Sequence, residues 1–161
     1  MLVSGITIGI IGTVGMDVWA LLVRNIFRLP VTDWAMIGRW TAYIPKGRYF
    51  HSPIAASEKV RHELAIGWAV HYTTGMIYGG LYLFLMQVVL GNAPTLQSAL
   101  IFGLATLAAP WLVMQPCLGL GIFASNAPKP WLVRLINISM HTVFTIAMYV
   151  GWKLMGYFNL G

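Results

Sequence analysis

Four apolar runs occupy most of the chain, and each is long enough to cross a hydrocarbon core of roughly 30 Å, which takes about 20 residues as a helix. They cover about 4–27, 64–90, 97–124 and 132–158. Hydrophobic residues make up 58% of the 161 and charged residues only 9%, where a soluble domain carries about a quarter charged. Too little charge remains to cover a water-facing surface. That excludes a soluble enzyme, a nucleic-acid-binding domain and a disordered chain. The expected fold class is all-α: a polytopic membrane protein, 1–161 forming one domain with four transmembrane helices. The lone Cys117 excludes an intrachain disulfide and a Cys-rich metal site.

Basic residues set the expected orientation. Arg24, Arg28, Arg39, Lys46, Arg48, Lys59 and Arg61 lie at or within the first connection, and Lys129 and Arg134 flank the third. Only Lys153 falls on the opposite side, so the first and third connections read as cytoplasmic and both termini as periplasmic. No basic residue precedes the first run and no small-residue cleavage site follows its apolar part, so it is expected to stay in the mature protein.

The first connection, 28–63, is the one substantial segment outside the spans. Within it, Thr32 and Asp33 supply capping groups, Trp34, Ile37, Trp40 and Ile44 recur at helical spacing, and Pro45 stops the pattern. This predicts a short interfacial helix on the cytoplasmic face with its aromatics at headgroup level. Gly38 leaves a plain tryptophan-bearing loop open as the alternative. Lys46-Gly47-Arg48 is suited to attract anionic headgroups.

Polar groups inside the spans are few. At about 1.5 Å per residue, Asp17, His71, the Met114-Gln115-Pro116-Cys117 turn and His141 all fall roughly 10–15 Å from the cytoplasmic ends of their helices. Ionisable groups at that depth turn inward and find partners, so these residues are expected to converge in one buried layer. Pro110 and Pro116 each remove a backbone donor, which marks the third helix as the place for irregular geometry. Gly5 and Gly9, and Gly75 and Gly79, form small-residue pairs suited to close helix contact. Gly75, one turn from His71, also leaves room for a flat ligand.

Three readings of the layer stay open. His71 and His141 could be axial haem ligands, with Gly75 making space for the macrocycle. Asp17, His71 and His141, completed by Met114, Gln115 or Cys117, could hold a transition metal. Alternatively the polar groups pair with one another and fasten the bundle.

The runs Gly15-Met16-Asp17-Val18-Trp19-Ala20-Leu21-Leu22, Gly38-Arg39-Trp40 and Pro45-Lys46-Gly47-Arg48 carry a resemblance. So do Gly67-Trp68-Ala69-Val70-His71-Tyr72, Met114-Gln115-Pro116-Cys117-Leu118-Gly119 and Ala127-Pro128-Lys129-Pro130-Trp131. Together they are similar to a domain-of-unknown-function family of small four-helix bacterial inner-membrane proteins. The resemblance implies that location and brings no activity, substrate or catalytic residue. The expected function is therefore a non-catalytic accessory subunit or helical binding protein. Its partners would be the lipid bilayer and either a larger membrane complex or further copies of itself. A membrane redox, haem or metal protein using His71 and His141 is the alternative, and a small dimeric proton-coupled transporter the third.

Overall fold

The computed structural model describes residues 1–158, and all regular structure among them is helical. In chain order the α-helices are α1 (Leu2–Asn25), α2 (Trp34–Tyr43), α3 (Glu63–Leu83), α4 (Leu96–Thr106), α5 (Gln115–Cys117) and α6 (Pro130–Tyr157). Single π-helical stretches extend α3 over Phe84–Val89 and join α4 to α5 over Ala109–Met114.

Among the described residues, three helices are long and apolar enough to cross a membrane: Leu2–Asn25, Leu96–Cys117 and Pro130–Tyr157. The second expected span, α3, is not among them. His71, Tyr72, Thr73, Thr74 and several glycines dilute its apolar content, and its most apolar tail lies in the π stretch beyond Leu83. The third span closes at Cys117 and not at Ala124. Past it, Gly119 and Gly121 take positive φ (89° and 73°), as do Phe123 and Ala124 (both 54°), and no α-helix continues through such residues.

Local chemistry explains the helix ends. Asp33 caps α2, its Oδ1 accepting from the Ala35 N–H at 2.9 Å. The capped helix expected before Pro45 is present, and the tryptophan-bearing loop is not. Thr95 and Ser98 cap α4 reciprocally, each hydroxyl accepting from the other's backbone N–H (3.0 and 3.1 Å). Pro130 opens α6, where its missing donor costs nothing. Pro110 sits in the π stretch, so the irregular geometry expected of the third helix is there.

The chain divides into two compact units, one of Met1–Pro30, Tyr72–Ala105 and the segment from Ser139, the other of Val31–His71 and Thr106–Ile138. In the first, α1 and α3 meet backbone to backbone. A Cβ on Gly9 would strike the Gly75 carbonyl, and one on Gly5 would lie 2.7 Å from Gly80 Cα. Both small-residue pairs thus serve close contact. The space beside Gly75 is filled by Thr13 Oγ1 and the Gly9 carbonyl, which takes up the room anticipated for a flat ligand. Around this crossing packs an apolar core of Ile8, Tyr82, Leu83, Met86, Ala99, Phe102, Phe144, Met148 and Met155.

The second unit has a smaller core of Ile37, Tyr43, Ile54 and Leu118. Its helices also cross on glycine: a Cβ on Gly38 would meet the Glu63 carbonyl, and one on Gly67 the Trp34 carbonyl. The connection after α2 docks on the end of α5, His51 N–H donating to the Cys117 carbonyl (2.8 Å) and Ile54 N–H to that of Leu118 (3.1 Å).

Candidate functional site

Within the second unit, the α2–α3 crossing carries the densest polar structure. Because Gly38 and Gly67 let the helices touch, the neighbouring Arg39 and Glu63 are brought face to face. Arg39 is 5% exposed, and its fork meets the Glu63 carboxylate twice, Nε to Oε2 at 2.8 Å and Nη2 to Oε1 at 2.9 Å. Nη1 donates to the carbonyls of Ile54, Ala55 and Ser57 at 3.1–3.4 Å. Glu63 Oε2 also accepts from the Val60 N–H at 3.0 Å. The hydrogen bonds from Arg39, assisted by its charge, hold the Glu63 carboxyl down at about 2 against the opposing effect of burial. The same bonds raise Arg39 further above its ordinary range. One side chain thus binds α2, α3 and the loop between them.

His51 extends this centre. Its Nδ1 lies 2.9 Å from Ser57 Oγ, and its ring lies 5.2 Å from that of Tyr43, whose hydroxyl donates to the Glu58 carbonyl. His51 is 7% exposed, its backbone pinned to α5 and its ring drawn inward. Its Nε2 is enclosed with no hydrogen-bond partner among the described residues, and so is Gln115 Oε1. Such orphans mark where a bound water or ligand atom would be accommodated.

The side chains singled out by depth have partners of different kinds. In the first unit, Asp17 Oδ2 accepts from the Tyr72 hydroxyl at 2.9 Å, and His141 hydrogen-bonds to the backbone of Gly103. In the second, His71 stacks on Trp34 at 3.9 Å between centroids, with Trp68 tilted against it at 5.7 Å. Gln115 Nε2 donates to Asn137 Oδ1 at 2.8 Å, and Trp111 Nε1 donates to the same oxygen at 3.1 Å. Met114 packs against the second core, and the Cys117 thiol is buried. Among the described residues, no group of three or more His, Cys, Asp or Glu side chains is gathered closely enough to hold a metal ion.

Sequence reasoning passed over the Arg39–Glu63 pair. The available signal was scarcity: in a chain with four carboxylates, a Glu at the start of a long apolar helix needs a cation, and Arg39 stands in the segment just before it.

No curated protein and no solved structure matches the chain. Over residues 6–155 it matches the family model described as a protein of unknown function, DUF2938, and it belongs to that family.

Proposed function

We propose that this is an integral protein of the bacterial inner membrane with a non-catalytic role, docking as an accessory subunit on a larger membrane complex. In this reading α3 with its π extension is a fourth span, α2 lies at the cytoplasmic interface, and both termini are periplasmic. One observation carries the proposal. In each of the three long apolar helices no more than 28% of the most apolar window is buried, leaving large side chains such as Val14, Val18, Ile101, Leu104 and Leu135 exposed. Apolar surface of that extent requires lipid or partner helices to cover it.

The polar groups support the same reading. Asp17 with Tyr72 and Gln115 with Asn137 are bonds between helices, a fastening use that needs no chemistry. The test is mild solubilisation from native membranes followed by native electrophoresis and cross-linking. Co-migration with a larger assembly is the expected result. Recovery as a stable lone monomer overturns the accessory role.

A further inference from the structure

We propose that the turn following α2 binds a phosphate-bearing anion, with Lys46 and Arg48 as its cations and the adjacent aromatics as its anchor. Pro45 ends the helix and Gly47 takes a left-handed conformation (φ 72°), its N–H donating to the Ile44 carbonyl while the Arg48 N–H donates to that of Tyr43. This tight turn brings two cations to one ring. Lys46 Nζ lies 5.2 Å and Arg48 Cζ 4.6 Å from the centroid of Tyr43, which places the charges within about 10 Å of each other.

Both side chains are exposed, and none of Asp33, Glu58 or Glu63 forms an ion pair with them; Glu63 is committed to Arg39. Two cations held against one buried ring can both attract one anion, and neither is neutralised by a neighbouring carboxylate. Beside them Tyr49 and Phe50 are 53% and 74% exposed, and the segment is tied back to α2 by Trp40 Nε1 donating to the Tyr49 carbonyl at 2.9 Å. Paired cations flanked by outward aromatics on a pre-formed turn match the headgroup level of a membrane, where phosphate lies above the acyl boundary. The shared chemistry is the phosphate oxyanion, supplied by a lipid headgroup or by a soluble phosphate. The inference rests on the membrane reading above.

The experiment uses the full chain in neutral detergent micelles, with bound lipid counted by native mass spectrometry. Dioleoyl phosphatidylglycerol is expected to be retained at least about tenfold better than dioleoyl phosphatidylcholine. Lys46→Gln with Arg48→Gln should cut that retention by about 30-fold, roughly fivefold per cation. The swap Lys46→Arg with Arg48→Lys keeps both charges and should keep the lipid. Millimolar inorganic phosphate that displaces the lipid assigns the pair to a soluble phosphate, and lipid that resists it assigns the pair to the headgroup. Equal phosphatidylglycerol retention by the wild type and the Gln variant overturns the proposal, as does equal retention of the two lipids. An alkaline carbonate wash separates the two failures: wild type that leaves the membrane overturns the membrane reading, whatever the lipid counts.

Discussion

The two units solve the same problem, holding helices together, with different interactions. The first relies on distance: glycines 5, 9, 75 and 79 bring α1 and α3 into backbone contact, and apolar side chains fill the rest. The second relies on direction: one guanidinium reaches a carboxylate and three carbonyls, and an apolar core of four buried residues completes it. In lipid no hydrophobic force drives helices together, so close packing serves the part made of long apolar helices. A short helix and a loop have too little packing surface for that and need explicit bonds. The difference predicts unequal sensitivity: charge changes should damage the second unit, and volume changes should damage both.

Arg39→Gln should have the largest effect. Removing one partner of a buried pair leaves the other charge uncompensated, at a cost of about 3–5 kcal/mol. Loss of order should centre on the loop between α2 and α3, read as faster hydrogen exchange over 44–62. Exchange over α1 unchanged from wild type, alongside a loosened loop, sustains the comparison; uniform loosening breaks it.

Acid probes the same pair without mutation. Because the Arg39 guanidinium holds the Glu63 carboxyl down at about 2, below its ordinary 4.5, its stabilising contribution is complete above pH 4.5 and declines as the pH falls towards about 2. The fluorescence of Trp34 and Trp40, both packed on this unit's core, should therefore hold steady from neutral pH to about 4.5 and change below it. In Glu63→Gln that acid transition should vanish. A transition centred near pH 6 would point to a histidine instead.

Volume is tested at the two glycine crossings. Gly67→Ala sets a methyl against the Trp34 carbonyl and Gly9→Ala sets one against that of Gly75, both backbone atoms that no rotamer change can move. Each should cost about 1–3 kcal/mol, measured as a fall in the thermal midpoint in detergent. If only one of the two falls, close contact is confined to that unit.

How much of this was legible follows from range. The α2 boundaries were readable because Asp33 and Pro45 act on their own neighbours, and the break in the third helix because Pro110 and Pro116 lack donors wherever they stand. The π stretch at Phe84–Val89 contains no proline or glycine and had no such signal. Gly38 looked like a helix breaker when read alone; its purpose appears only once the Glu63 carbonyl lies against it. Arg39 and Glu63 are 24 positions apart on separate helices, so no spacing rule joins them. Depth did single out Asp17, His71, Gln115 and His141 as needing partners. It could not name Tyr72, Trp34, Asn137 and the Gly103 backbone, because depth fixes a level and leaves the direction around each helix free.

Tyr72→Phe should produce a smaller change. It removes the hydroxyl that Asp17 accepts from and leaves the ring in place, and interhelical hydrogen bonds of this kind average about 0.6 kcal/mol in membrane proteins. A thermal midpoint lowered by no more than a few degrees is expected. A collapse comparable to Arg39→Gln would mean that the first unit depends on directed bonds as strongly as the second.

Gly80→Ala should have an effect as small as that of Tyr72→Phe, and of opposite sign to the other glycine variants. Gly80 lies in α3 next to Gly79, yet a Cβ there meets nothing within 4 Å, whereas one on Gly79 would strike the Gly5 carbonyl. With no clash to offset it, alanine should gain the helix preference that glycine lacks, about 0.5–1 kcal/mol. The midpoint should rise slightly in Gly80→Ala and fall in Gly79→Ala, although both variants add one methyl to adjacent positions of one helix. If both fall, α3 is intolerant of any added side chain and the role of distance in the first unit has been drawn too narrowly. If both rise, α1 and α3 do not meet where Gly5, Gly9, Gly75 and Gly79 place them, and the contrast between the units loses its first half.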